Sequence, residues 1–361
     1  MTSSAPVAPE RSAPEEASPE GTAAPARSRV GLLLRGAAVL VAVVTLVVLG
    51  LLHRDDVVSA VRALRAPAPG WLLAAILAEA LSMGLYARMQ RRLLRGAGTH
   101  VPLLRAVSLA YSAHSMSITL PGGPLVSTVY NYRRMRAFGA DSTVAAWATA
   151  LSGLLSSLGL VVLAAGVGVA AATDDTDDVV TVAAIAVFVV LVVAGLAVLR
   201  RNPAWRAALR RWSDALLTRV PERYRAHVDS AVAWGGRMLR VRIPLRDLGL
   251  AGAHSVGNWI ADCGCLALCC LALGVHVPVI PLVLTYVAGM TASSIPIVPG
   301  GLGTVDAALT FGLVAAGATA SSALAVVVLY RLITFVLMGG IGWGLWLIGR
   351  HRRHREVLAT T

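Results

Sequence analysis

Two Pro-Gly-Gly segments interrupt long apolar stretches of this 361-residue chain and are the first candidates for binding chemistry. They are Pro121-Gly122-Gly123 and, 178 positions later, Pro299-Gly300-Gly301. A helix that begins at such a break presents unpaired N–H groups and the positive end of its dipole, which together bind phosphate. Hydrocarbon cannot satisfy unpaired backbone groups, so a break within a membrane must lie inside protein or beside a wet cavity. We therefore predict that the four glycines contribute to a substrate site; the alternative is that they only kink the backbone for packing.

The match between the two segments continues without a gap as far as a second block of identical residues. In that block Ala137, Gly139 and Ala140 align with Ala315, Gly317 and Ala318. Broken segments at corresponding positions in two halves of a membrane protein indicate a transport site. The sequence therefore predicts an internal repeat with one break in each half.

Five ionisable side chains lie within apolar stretches: Glu79, His114, Asp262, Asp306 and Arg331. Each costs about 2.5–3.5 kcal/mol at the centre of an inserted helix, so each should face the protein interior or find a partner. Asp306 follows the second break and Arg331 lies in the last apolar stretch, which predicts an ion pair between them. Two roles stay open: Arg331 binds a lipid phosphate that Asp306 tunes or releases, or the pair only locks two helices.

The remaining polar groups of the apolar stretches give weaker indications. Either Glu79 or Asp262 could accept a proton for coupling, or each could be a structural carboxyl group; His114 is predicted to be a packed histidine. The hydroxyl residues before the two breaks are Ser115, Ser117, Thr291, Ser293 and Ser294. We expect them to bond to the preceding helical turn rather than to line a polar path. The cysteines are Cys263, Cys265, Cys269 and Cys270. Their spacing fits neither a redox pair nor a zinc site, so they should pack as small apolar residues.

Composition fixes the class of protein. Hydrophobic residues make up 57% of the chain and the mean hydropathy is +0.71, as in polytopic membrane proteins. All 32 basic residues are arginine and the net charge is +13. Because these arginines flank apolar stretches, we expect anionic or phosphate-bearing lipid headgroups as partners rather than nucleic acid. No hydrolase or nucleotide-binding motif occurs, so we predict no enzyme activity, catalytic residue, cofactor or metal.

The apolar stretches and arginines together predict the topology. Full spans are expected at about 36–52, 69–87, 142–172, 179–199, 248–273 and 322–349, with broken hairpins at about 101–136 and 278–318. The first 29 residues should form a disordered tail, and residues 351–361 a basic tail. Placing the arginine-rich loops inside puts both termini in the cytoplasm. Residues 200–246, with arginines among aromatic residues, should then lie along the inner leaflet.

The predicted fold is an all-α polytopic membrane protein of six full spans plus two re-entrant broken hairpins in an inverted repeat. The repeat halves are about 36–172 and 179–349, with the first hairpin entering from the cytoplasm and the second from outside. Their tips should meet near the bilayer midplane, close to the two breaks. The alternative is that residues 101–120 cross the membrane fully, which would change the topology.

Two segments resemble the signature of a known family. SIPIVPGGLGTVDAAL at 294–309, followed by LYRLITF at 329–335, resembles the lysylphosphatidylglycerol synthase transmembrane (flippase-like, UPF0104) family. Residues 120–136 are similar to its N-terminal counterpart, and Asn258-Trp259 with Asp262 suits its central helix. The resemblance covers roughly residues 30–350. Asp306 departs from the many members that carry Glu there, and the first break lacks the charged residues often found after it.

The resemblance implies a lipid-translocating membrane domain of the bacterial inner membrane. The chain ends at Thr361, so we expect no soluble synthase domain. The implied cargo is a phospholipid or polyprenyl-linked lipid. Two alternatives stay open: an accessory or enzyme of polyprenyl-linked glycan or lipid metabolism, and an ion-coupled transporter of a small solute. Homo-oligomerisation and a partner synthase or glycosyltransferase also stay open.

Overall fold

A computed structural model of the protein describes residues 67–171, 241–293 and 301–360, with side chains as far as residue 351. These residues form α1 Pro69–Gly96, α2 Leu103–Thr119, α3 Gly123–Ala137, α4 Ser142–Ala171, α5 Leu245–Ala272, α6 Val279–Ala292, α7 Thr304–Ala315, α8 Ala320–Arg331 and α9 Met338–Thr360. A π-helical segment, Leu332–Leu337, joins α8 to α9. The predicted tail 1–29, the spans 36–52 and 179–199, most of 200–246, Ser294 and Gly300 lie outside the described residues.

The all-helical class is confirmed for this part of the chain. Four of its helical segments are long and apolar enough to cross a bilayer: α1, α4, α5 and the continuous rod Ala320–His351. They correspond to four of the six predicted spans. Helices α6 and α7 are apolar but shorter. The protein is therefore a helical, multi-pass membrane protein.

Helix α5 lies at the centre of the described bundle and packs most extensively on α1. The Nδ2 of Asn258 donates to the Oγ and backbone carbonyl of Ser82 on α1, at 2.6 and 3.1 Å. The Nε1 of Trp259 donates to the carbonyl of Ser156 on α4 at 2.7 Å. Polar side chains thus fix α5 to two neighbours where burial alone would leave its rotation poorly specified. The four cysteines of α5 are free and buried, as predicted.

Both predicted breaks separate two helices, but they differ in geometry. In the first hairpin α3 begins at Gly123, directly after Gly122 in the left-handed region at φ 69°. A Cβ on Gly123 would lie 2.0 Å from the carbonyl oxygen of Ser117, so only glycine fits this turn. In the second hairpin α7 begins at Thr304, and the prediction that it begins at the Gly-Gly break is wrong. Gly301 and Gly303 have φ values of 65° and 88°, which an α-helix excludes.

The helices that follow the two breaks end in the same turn. Gly139 after α3 and Gly317 after α7 have φ values of 93° and 100°. The N–H of Ala140 donates to the carbonyl of Met135 at 3.2 Å, and that of Ala318 to Leu313 at 3.0 Å. Both are the left-handed glycine cap that closes a helix C-terminus. The two matching sequence blocks therefore form the same kind of helix cap, one after α3 and one after α7.

The first hairpin packs on the last membrane-spanning rod through small residues. On α2, the Oγ of Ser115 donates to the carbonyl of Gly339 at 2.9 Å. The Oγ of Ser112 donates to the carbonyl of Gly342 at 3.3 Å. A Cβ on Gly342 would lie only 1.9 Å from the Oγ of Ser115. Because lipid gives helices little reason to associate, this close approach and its hydrogen bonds hold α2 against α9.

Candidate functional site

The ion pair expected between Asp306 and Arg331 is present at the second break. The Nε of Arg331, the last residue of α8, lies 2.5 Å from the Oδ1 of Asp306 in the first turn of α7. Their side chains are 18% and 28% exposed, respectively. The pair is therefore shielded on most sides yet still reachable by a ligand. A charge-assisted bond of this kind is stronger than one between neutral groups.

The same two side chains organise the break itself. The Oδ2 of Asp306 accepts a hydrogen bond from the N–H of Gly303 at 2.9 Å, which caps α7. The Nη2 of Arg331 donates to the carbonyl of Gly301 at 3.3 Å. Both oxygens of the Asp306 carboxylate therefore have partners at the break, and the Arg331 guanidinium bonds both Asp306 and the backbone. The structure brings Gly301, Asp306 and Arg331 into one site.

Among the described residues, no comparable charged pair lies beside the first break. Gly122 is exposed and Gly123 is buried against its own hairpin. The N–H of Gly123 donates to the carbonyl of Leu120 at 2.8 Å, and Pro124 has no N–H to offer. The start of α3 therefore presents fewer unpaired donors than the sequence suggested. Gly300, the remaining predicted site residue, lies outside the described residues.

A second polar cluster lies in the interior between α1, α5, α6 and α8. The hydroxyl of Tyr286 donates to the Oδ2 of Asp262 at 2.7 Å, and the hydroxyl of Tyr330 donates to its Oδ1 at 2.7 Å. Glu79 of α1, 3% exposed, lies within hydrogen-bonding reach of Asp262. The structure thus brings together the two carboxyl groups that the sequence left on separate spans.

Sequence reasoning missed the two tyrosines of this cluster. Their signal was available, because a tyrosine hydroxyl inside an apolar span needs a partner as much as a carboxyl group does. Tyr330 is also the residue before Arg331. Consecutive side chains therefore bond Asp262 in the interior cluster and Asp306 at the second break. The π-helical segment that begins at Leu332 follows directly. Such segments occur mostly as single turns within α-helices and frequently mark functional sites.

The other predicted polar residues take structural roles. Thr291 and Ser293 donate to the carbonyls of Val287 and Met290 at 2.8 and 2.5 Å. The Ser115 hydroxyl shares its single hydrogen between the carbonyls of Tyr111 and Gly339, both at 2.9 Å. These bonds to the preceding turn are those expected. The Nε2 of His114 lies 3.4 Å from the carbonyl of Thr334, as expected of a packed histidine.

Two cavities occur among the described residues, and no member of either polar cluster lines them. One, of about 220 Å³, is lined by Arg91, Arg95, His100, Val101 and Pro102 near the end of α1. The other, of about 630 Å³, is an apolar groove between α4, α5 and α6. None of the predicted substrate-binding residues lines either of them.

Comparisons with known proteins agree with this architecture. The family model described as the lysylphosphatidylglycerol synthase TM region matches residues 34–342. A UPF0104 membrane protein of Methanothermobacter thermautotrophicus is 35% identical over 88 residues. That match covers 24% of this chain and 25% of the relative, so the chain spans about a quarter of that relative's length.

Proposed function

The chain belongs to the family of the lysylphosphatidylglycerol synthase TM region, and we propose that it translocates a lipid between the leaflets of the bacterial inner membrane. The cargo is a phospholipid or a polyprenyl-linked lipid with an anionic or phosphate-bearing headgroup. Alternating access carries the headgroup past the second hairpin, while its acyl or prenyl chains stay in hydrocarbon. This role needs a cationic group that is sheltered from bulk water but open to a ligand.

The observation that carries the proposal is the partly exposed ion pair of Arg331 and Asp306 at the second break. A guanidinium presents donors in a planar fork that matches a phosphate as well as a carboxylate. A lipid phosphate that approaches Arg331 can therefore take the place of Asp306, and Asp306 can reclaim the guanidinium when the lipid leaves. The carboxylate then limits how tightly the headgroup is held, which turnover requires. At the first break, the exposed Gly122 gives the headgroup close access to the backbone.

The inverted repeat of six spans and two re-entrant hairpins, with both termini cytoplasmic, is part of this proposal. In its support, α2 has 17 residues and a length of about 26 Å, less than the hydrocarbon thickness of about 30 Å. The identical caps at Gly139 and Gly317 support equivalent places for α3 and α7 in the two halves. Arginines lie at the C-terminal ends of α1 and α9. They favour cytoplasmic positions for these two helix ends.

The experiment is translocation in liposomes of labelled lipids in four classes: zwitterionic, anionic, aminoacylated and polyprenyl-phosphate. A membrane-impermeant quencher destroys the label in the outer leaflet. Quenching beyond that fraction for an anionic or phosphate-bearing lipid, reduced in the Arg331→Gln variant, supports the proposal. Protection equal to that in empty liposomes for all four classes contradicts it.

An ion-coupled small-solute transporter is the second candidate, because the interior carboxyl pair of Glu79 and Asp262 suits ion coupling. Thermal stabilisation by a water-soluble solute, independent of the surrounding lipid, would favour it. Lipid-dependent stabilisation that is lost in Arg331→Gln would favour the lipid.

A further inference from the structure

The interior carboxyl pair has a feature that a purely structural polar cluster lacks. The Oε2 of Glu79 is fully buried and has no hydrogen-bond partner among the described residues. The side chain as a whole is 3% exposed and faces Asp262 across the contact between α1 and α5. A buried polar atom without a partner costs roughly 1–3 kcal/mol, and more if the group is charged. Such an unfavourable free energy is expected at a buried group whose function is to bind a proton or a ligand.

The two carboxyl groups differ in their hydrogen-bond donors. Both oxygens of Asp262 accept a tyrosine hydroxyl, Tyr286 at one oxygen and Tyr330 at the other. Donors of this kind stabilise a carboxylate, whereas the described residues provide none for the Oε2 of Glu79. Two adjacent carboxylates in an apolar interior repel each other, so the pair is more stable with one proton than with none. The tyrosine donors at Asp262 and the lack of a donor at the Oε2 of Glu79 therefore favour a proton on Glu79.

We propose that Glu79 and Asp262 form an intramembrane proton-binding site, with the proton held on Glu79 and shared with Asp262. Release transfers this proton from the Glu79 carboxyl group to water on one side of the membrane and leaves two carboxylates side by side. Binding from the other side restores the single charge. As an extension that rests on the proposed function, this cycle couples a proton gradient to lipid translocation.

The titratable groups around the pair come from four elements. Helix α5 contributes Cys263, Cys265 and Cys269, α2 contributes Tyr111 and His114, α6 contributes Tyr286, and α8 contributes Tyr330. His114 is the basic member of this set. Its Nε2 faces the carbonyl of Thr334 on the π segment rather than either carboxyl group. The proton site therefore consists of the two carboxyl groups and the two tyrosine hydroxyls.

The connection to the second break runs through adjacent residues of α8. When Glu79 loses its proton, its charge repels the Asp262 carboxylate that holds the Tyr330 hydroxyl. Any displacement of Tyr330 moves Arg331, which bonds Asp306 and the carbonyl of Gly301. The π-helical turn that begins at Leu332 is a place where the helix can change register. Proton release thereby weakens the bonds of the Arg331 guanidinium to Asp306 and to the carbonyl of Gly301.

Infrared spectroscopy of the lipid-embedded protein tests the proton site without reference to transport. A protonated carboxylic acid has a C=O stretch distinct from that of a carboxylate. At neutral pH we expect this band in the wild type and its loss in Glu79→Gln. Asp247→Asn is the matched control, because Asp247 also bridges α5 to α1, through Arg92 at 3.4 Å. The band should persist in that variant. An unchanged band in Glu79→Gln would show that Glu79 is ionised and would overturn the proposal.

A pH gradient across the liposomes tests the coupling. For one proton per lipid, a gradient of one pH unit supports about a tenfold ratio of labelled lipid between the leaflets. We expect this ratio to invert with the gradient in the wild type and in Asp247→Asn, and to vanish in Glu79→Gln. Translocation by the wild type that ignores the gradient would overturn the coupling. If the wild type moves no lipid at all, the proposed function fails, while the infrared result still decides the proton site.

Discussion

Tyr330 and Arg331 are consecutive residues that hold carboxylates on two different helices. The Tyr330 hydroxyl donates to Asp262 on α5, and the Arg331 guanidinium bonds Asp306 on α7. The end of α8 therefore joins the protein interior to the second break. A single peptide unit thus connects the residues that contact the two clusters.

The first prediction concerns this connection. Tyr330→Phe and Tyr286→Phe each remove one hydrogen bond of about 2.7 Å from Asp262 and should cost similar stability, about 1–3 kcal/mol each. Only Tyr330 is adjacent to Arg331. We expect Tyr330→Phe to weaken the dependence of lipid translocation on the pH gradient more than Tyr286→Phe does. Equal gradient dependence in the two variants would argue against a path through α8.

The second prediction separates the two bonds of Asp306. Asp306→Asn keeps an acceptor for the Gly303 N–H but removes the charge that Arg331 contacts, whereas Asp306→Ala removes both. We expect Asp306→Ala to be less stable than Asp306→Asn by about 1 kcal/mol, the usual cost of a lost N-terminal cap. Thermal unfolding in lipid nanodiscs measures the difference. A double-mutant cycle of Asp306→Asn with Arg331→Gln should give a favourable coupling energy; additive effects would show that the ion pair contributes nothing.

The third prediction concerns the backbone of the second break. Gly301→Ala forces a Cβ onto a residue at φ 65° and places it 2.7 Å from the Cγ2 of Val305. Gly317→Ala imposes the same kind of backbone strain at φ 100°, but its Cβ meets nothing within 4 Å. Strain alone costs roughly 1–2 kcal/mol, so Gly317→Ala should lose about that much and Gly301→Ala more. Similar unfolding temperatures for the two variants would show that the break relaxes freely.

The fourth prediction concerns the packing of the first hairpin on the last span. Gly342→Ala places a Cβ 2.2 Å from the carbonyl oxygen of Tyr111 on α2. The hairpin must move away, so we expect a destabilisation of about 1–3 kcal/mol. Gly340→Ala, two residues away in the same helix, meets nothing within 4 Å and is the matched control. Equal thermal stability of the two variants would contradict the close packing of α2 on α9.

Much of this architecture could be predicted because hydrocarbon solvates neither charged side chains nor unpaired backbone groups. Unpaired charges are costly in hydrocarbon, which made Asp306 and Arg331 natural partners although 25 positions separate them. Paired Pro-Gly-Gly blocks likewise marked both breaks. The start of α7 at Thr304 depends on two positive-φ glycines, and sequence alone does not tell a left-handed glycine from a helical one. Tyr286 and Tyr330 were missed because their rings suit an apolar span, and their hydroxyl partner becomes visible only once α5, α6 and α8 are packed together.

The most direct test of the central claim compares two arginines that each pair with an aspartate. Arg331 bonds Asp306 at the second break, and Arg92 bonds Asp247 near the end of α1. Translocation of a labelled anionic lipid should be measured for Arg331→Gln, Arg331→Lys and Arg92→Gln at matched protein density. We predict near-complete loss in Arg331→Gln, partial activity in Arg331→Lys, and a rate close to wild type in Arg92→Gln. A wild-type rate in correctly folded Arg331→Gln protein would contradict the assignment of the headgroup site to the second break.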